Sequence, residues 1–428
     1  MTRPDLPVDA GTEPATRLAR RLGVGDAVII GLGSMIGAGV FAAIGPAAAA
    51  AGAGLLVGLA VAAIVAFCNA TSSAQLAALH PMSGGTYVYG RERLGHLWGF
   101  LAGWGFVIGK TASCAAMALT FGAYAAPDLA RPLAIGAVVV LTAVNLAGVR
   151  KTAWATRIMV AVVLGALATV IAAGVSSGLS DTELGPIGAG GVRGTLQSAG
   201  LLFFAFAGYA RIATIGEEVR DPQRTIPRAI PIALGITLVV YTAVALVALL
   251  AIGPAALGAS AAPLVDVVSA SALDGAVPVV KIGAAVGSLG VLLSLLVGVS
   301  RTTFAMAAEH DLPRWLAAVH PTRKVPHRAE LVVAVLVIGV VSTADLRGAI
   351  GFSSFAVLTY YAIANASAWT LHGDERRWPR ALAGTGLVGC IVLAVTLPAV
   401  SVLGGVLVLA AGVAVWITGR RSPPGARR

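Results

Sequence analysis

Charge is what this 428-residue chain has least of: Asp, Glu, Lys and Arg together supply 11% of it, against 57% hydrophobic residues. Soluble domains carry about 25% charged residues because water must face a polar exterior. With a mean hydropathy of +0.88, this composition excludes a water-soluble globular protein and fits a polytopic membrane protein. Cysteine is nearly absent. Cys68, Cys114 and Cys390 each fall inside an apolar run, which argues against a disulfide framework or thiolate metal site and leaves them as small fillers. Histidine is scarce and misplaced for chemistry: His80, His96, His310, His320, His327 and His372 all sit at the ends of apolar runs or between them. No catalytic residue, metal or cofactor is expected, and an intramembrane hydrolase is disfavoured.

What is there is apolar sequence in lengths that cross hydrocarbon. The runs divide into about twelve helical spans, at roughly 25–51, 53–79, 97–124, 131–149, 155–177, 195–216, 229–252, 277–305, 330–345, 349–371, 381–399 and 401–418. The polar stretch 1–22 has no short apolar core with a cleavage site and is expected to be a cytoplasmic tail. Acid is scarcer than base, 19 residues to 30, for a net charge of +11. Such a balance would suit nucleic acid, but the basic residues sit at alternate span ends, as Arg20 and Arg21, Arg91 and Arg93, Arg150 and Lys151, Arg220 and Arg224, Arg323 and Lys324, Arg376 and Arg377, and the C-terminal 419–428. That is the positive-inside bias, which places both termini in the cytoplasm of a plasma (inner) membrane protein and requires an even number of spans.

Span one contains GLGSMIGAGVF, residues 31–41. Each interior glycine weakens a helix by about 1 kcal/mol relative to alanine, so Gly31, Gly33, Gly37 and Gly39 loosen it at mid-depth. Span six contains FFAFAGYARIATIGEEVRDPQRTIPRAI, residues 203–230, where the apolar part ends soon after Gly208. Two compromised helices five spans apart are the mark of an inverted-repeat secondary transporter with its site at the midplane. The repeats are expected at 23–177 (spans 1–5) and 195–372 (spans 6–10), with two further helices at 380–418. Unwinding frees backbone groups that only protein or a water-filled cavity can satisfy, and these become ligands. A half-helix N-terminus attracts a carboxylate and freed carbonyls attract an ammonium. The alternative for Gly33-xxx-Gly37 is a close-packing face between helices.

Here GSMIGAGVF, PMSGGTYVYGRERLG, FAFAGYARIATIGEEVRDPQRTIPRAI and SRTTFAMAAEHDLPRWL, in this order across spans 1–10, resemble the amino acid-polyamine-organocation transporter superfamily with its leucine-transporter type of fold. The resemblance implies that Gly37, Ala38 and Gly39 offer amides to a substrate carboxylate. Met35, Ile36 and Ala207, beside Gly208, would turn carbonyls to the α-ammonium, and Phe204 would hold the aromatic gate position. The PMSGGTYVYGRERLG loop would be an intracellular re-entrant segment turned by Pro81, Gly84 and Gly85, away from substrate. The sequence departs from the family where some relatives bear a carboxylate, here Ala210, and where others bear a lysine in span five, here Val163.

Lys110 lies about 14 residues into span three, and an intramembrane charge is a functional candidate. It shares a face with Phe106, Cys114, Met117 and Phe121, and by the resemblance would line the substrate cavity and act in gating or coupling. A structural lysine bonded to freed carbonyls is the alternative. Arg211 either lines the inner pathway or pairs with Glu217 or Glu218 as a gate or brace. Asp26 caps the first helix or joins that network, and Lys281 snorkels. Ser294 and Gly298 stand where sodium-coupled relatives hold an ion, although membrane hydroxyls usually bond their own backbone.

The sequence therefore reads as an all-α transporter of amino acids, neutral or acidic, working by alternating access with protons as coupling ion or by exchange, in contact with membrane lipids and not nucleic acid. A polyamine or other organic-cation carrier is the alternative, disfavoured by the lack of a mid-depth carboxylate. A membrane-embedded enzyme lacks deep acid or base groups.

Overall fold

In a computed structural model, residues 22–37, 39–80, 84–148, 153–177, 186, 188–214 and 219–421 are described. They form α-helices, short 3-10 turns and one isolated bridge, Leu22 to Val219. The first span is two helices, α1 (Val24–Met35) and α2 (Gly39–Ala51), followed by α3 (Leu55–Leu79). A short α4 (Thr86–Leu94) precedes the long α5 (His96–Ala125), then α6 (Ala130–Leu146) and α7 (Ala153–Ser176). The sixth span is also divided, into α8 (Gly191–Phe206) and α9 (Ala210–Thr214), and leads to α10 (Pro222–Ala259). A small α11 (Pro263–Ser269) precedes α12 (Val277–Ala308), α13 (His327–Thr343), α14 (Leu346–Trp369), α15 (Arg380–Thr396) and α16 (Ala399–Arg421).

These elements coincide with the twelve expected spans. Among the described residues eight helical stretches are long and apolar enough to cross a membrane. The number is below twelve for a physical reason: the breaks cut spans one and six into shorter pieces, and α13 and α15 have only 17 residues each. A span of ~30 Å needs about 20 residues. The helix α10 is the opposite case, 38 residues long and kinked at Gly253, whose φ is 75°.

The interiors of α5 and α14 are mostly buried, whereas α6 and α16 are mostly exposed, which puts α5 and α14 at the centre of the bundle. Buried polar pairs join the helices. Ser113 of α5 and Ser353 of α14 lie 2.6 Å apart, and the Asn365 amide of α14 donates to Asn69 Oδ1 of α3 at 2.6 Å. Cys390 of α15 donates to the same oxygen at 3.3 Å, so this cysteine is more than the apolar filler expected of it. Such interhelical bonds are worth about 0.6–2 kcal/mol each.

One end of the bundle is tied by charge. Gly84 and Gly85, at φ 133° and 56°, turn the chain into α4, while Pro81 lies outside the described residues. Arg91 then pairs with Glu309 at 3.0 Å and Arg93 with Glu375 at 2.6 Å. Tyr87 donates to Asp311 at 2.7 Å, and His96 Nε2 lies 3.2 Å from the same carboxylate. Asp26 accepts from the Gly23 amide, so of its two expected roles it takes the capping one, and it also pairs with Arg157 of α7 at 2.6 Å. The guanidinium of Arg93 and the His372 amide hold the Glu375 carboxyl down at about 2.

Candidate functional site

The helix α1 ends at Met35, and the Ile36 amide still donates to Leu32 at 2.7 Å. Three residues after Ile36 the chain starts α2 at Gly39. The second break is gentler: α8 passes through a 3-10 turn, Ala207–Tyr209, before α9. The two breaks touch. A methyl group on Gly208 would run into the Ser34 carbonyl and lie 2.8 Å from the Met35 amide nitrogen, and one on Gly39 would lie 2.6 Å from Ala205 Cα. Glycine is needed at both positions because backbone meets backbone. The Gly37 carbonyl packs on Gly287 of α12, with Val163 of α7 beside it. The close-packing reading of these glycines and the broken-helix reading are therefore both true of the same residues.

Freed carbonyls in a membrane need donors. Tyrosines supply them. Tyr241 of α10 places its hydroxyl 2.6 Å from the Met35 carbonyl oxygen and 3.2 Å from that of Ala205, so one proton is shared between the ends of the two broken spans. Tyr361 of α14 donates to the Ala207 carbonyl at 3.3 Å. Both rings are fully buried and caged: Phe206 lies 5.3 Å from Tyr241, while Tyr209 stacks on Tyr361 at 5.2 Å and Phe203 meets its face edge-on at 5.8 Å. Next to Tyr361, Tyr360 accepts from the Thr86 amide at 3.0 Å, and Phe106 of α5 packs on its ring.

The expected site residues divide accordingly. Met35, Ile36 and Ala207 are buried at the crossing, where Gly37, Gly39 and Gly208 join them. Phe204 is only partly buried, and it is its neighbour Phe203 that lies against Tyr361. Lys110 is buried in α5, 8% exposed, one turn from Phe106 and Cys114. Among the described residues it makes no hydrogen bond or ion pair with the break residues. Arg211 is exposed on α9. Ser294 donates to the Gly290 carbonyl of its own helix at 3.0 Å, the ordinary behaviour of a membrane hydroxyl. Ala38, Glu217 and Glu218 lie outside the described residues. Sequence reasoning missed Tyr241 and Tyr361, although a tyrosine in an apolar span always raises the question of what its hydroxyl bonds.

The chain is 62% identical over 417 residues, 97% of its own length and 94% of its relative's, to an uncharacterized transporter of Mycobacterium tuberculosis. It is 30% identical over 379 residues to the methylthioribose transporter of Bacillus subtilis, covering 81% of this chain and 80% of that one. Against the branched-chain amino acid permease of Bacillus subtilis it is 28% identical over 346 residues, 75% and 74% of the two chains. Amino acid permease is the family matched by residues 22–421. Spans, breaks and relatives agree: the chain belongs to the amino acid permease family, a membrane transporter of amino acids or related substrates and not an enzyme.

Proposed function

We propose that the protein is a secondary active transporter of neutral or acidic amino acids, working by alternating access around the two breaks with protons as coupling ion or by exchange. The observation that carries this reading is the crossing at Gly208 and Gly39, which brings the carbonyls of Met35 and Ala207 and the first amides of α2 into one small region. A zwitterion presents an ammonium and a carboxylate on one carbon, and this region offers carbonyl acceptors for the one and helix-end amides for the other. Residues 31–41 and 203–214 contain no carboxylate, which disfavours a polyamine or organic cation. The reading takes 23–177 and 195–372 as inverted repeats, 380–418 as two added helices and both termini as cytoplasmic.

In that orientation the ion pairs of α1 and α4 close the cytoplasmic end. Asp26–Arg157 and the bond from the Arg220 amide to the Leu22 carbonyl hold the start of α1 against α7 and the chain entering α10. Opening inward separates these groups while the crossing stays in place.

Uptake into proteoliposomes tests the function: each common amino acid, putrescine and methylthioribose, with and without sodium and with an imposed pH gradient. Saturable uptake of a neutral or acidic amino acid is expected. Uptake of methylthioribose alone, following the 30% identical relative, would replace this reading with a sugar-derivative carrier. Lys110 enters the same assay. Lys110→Met keeps much of the side-chain length and removes the charge, and uptake is expected to fall or lose its pH dependence in a folded protein. A native rate, pH profile and substrate range would make Lys110 structural.

A further inference from the structure

Tyr241 and Tyr361 perform the same task for the two breaks under different geometry. The Tyr241 bond to Met35 is short at 2.6 Å, and its hydroxyl also lies 3.2 Å from Ala205, so it joins two elements at once. The Tyr361 bond to Ala207 is single and, at 3.3 Å, beyond the usual hydroxyl–carbonyl range of about 2.5–3.0 Å. Its ring cannot move closer, since Tyr209 covers one face, Phe203 approaches by its edge and Tyr360 packs against it at 5.2 Å. The Ala207 carbonyl thus has a donor that satisfies it weakly and cannot follow it.

We propose that Tyr361 sets substrate affinity as a placeholder: its hydroxyl holds the Ala207 carbonyl until the substrate ammonium takes that carbonyl from it. The inference rests on the transport reading above, in which Ala207 faces the ammonium. The exchange favours substrate because a charged N–H donor makes a shorter and stronger bond than a neutral hydroxyl. A carbonyl with no donor would be costly in the membrane interior during the part of the cycle when no substrate is bound, and a donor held as tightly as Tyr241 holds Met35 would compete with substrate. A caged phenol at the long limit of bonding meets both requirements. It also favours ligands with an ammonium group, because a charged N–H donor replaces the lost bond with a stronger one.

Equilibrium binding of radiolabelled leucine and glutamate to purified protein, with competition by 4-methylpentanoate and glutarate, which carry no donor on the α-carbon, tests the inference. Tyr361→Phe removes one hydroxyl, and amino acid binding is expected to tighten about three- to tenfold, the worth of one net hydrogen bond, with binding of the two des-amino acids unchanged. Should that variant not fold, 3-fluorotyrosine at position 361 keeps the ring and strengthens the donor, and amino acid binding is expected to weaken with binding of the des-amino acids unchanged. Amino acid binding that is unaltered or shifted the other way, or an equal shift for the des-amino acids, would overturn the placeholder role while leaving the transport reading intact. Wild-type protein that binds neither amino acid overturns the transport reading and this inference with it.

Discussion

The two breaks solve one problem by unequal means. Span one stops at Met35 and starts again at Gly39, whereas span six bends through a single 3-10 turn, Ala207–Tyr209. The more disrupted span is the more firmly held: its last helical carbonyl, on Met35, has a hydroxyl at 2.6 Å, while the Ala207 carbonyl has one at 3.3 Å. A span that gives up its backbone bonds at mid-depth must have them replaced by strong ones from neighbours. A span that stays nearly helical can tolerate a loose partner and so keeps an acceptor that exchanges. On the proposed reading the first break is the fixed part of the site and the second the adjustable part.

The largest effect is expected where the breaks meet. Gly208→Ala drives a methyl group into the Ser34 carbonyl, and backbone on both sides cannot step aside as a flexible side chain would. A destabilisation of about 3 kcal/mol, the upper end for overpacking, is expected in detergent unfolding, with uptake abolished. Gly298→Ala is the control, because a methyl group there meets nothing within 4 Å and should be neutral or slightly stabilising. If the two variants behave alike, the crossing is not tightly packed.

Tyr241→Phe comes next. It strips the nearest donor from Met35 and Ala205 together and is expected to destabilise by about 1–3 kcal/mol, the cost of leaving buried acceptors unpaired. Tyr361→Phe should cost clearly less. Equal losses in thermal unfolding would erase the distinction between a fixed and an adjustable break.

The smallest effect lies away from both breaks. Glu375 has its carboxyl held near 2, against an ordinary 4.5, by Arg93 and the His372 amide. A depressed pKa stabilises the fold above the unfolded value and is lost as pH falls through the folded one. The pair is only partly buried and is screened by water, so Glu375→Gln should lower Tm only slightly. That difference should be constant above about pH 4.5 and shrink toward pH 2. A deficit that grows on acidification would contradict the assignment.

The spans were legible because hydrocarbon thickness and backbone satisfaction leave a long apolar helix as the simple solution, and the sequence repeats that length along the chain. The breaks were legible because weakened mid-span stretches recur five spans apart, at Gly37 and Gly39 and again at Gly208. The donors to the freed carbonyls were not. Tyr241 and Tyr361 stand 36 and 154 residues from the carbonyls they share with span six, and nothing in the local sequence of α10 or α14 tells a tyrosine bonded across the bundle from one at its surface. The same holds for Asn69 and Asn365, paired across 296 residues. Span length and helix weakness are local properties, and hydroxyl partners are set by packing.

Carboxylate and ammonium capture at the crossing is the central claim, and competition among three close analogues tests it most directly. Purified protein is titrated with the amino acid it binds most tightly in the uptake panel, then with that compound's carboxamide and with its decarboxylated amine. The crossing predicts that the amino acid binds at least tenfold more tightly than either analogue, since each leaves one half of the site unmatched. Equal binding of the decarboxylated amine would contradict carboxylate capture at α2 and with it the account of the two breaks.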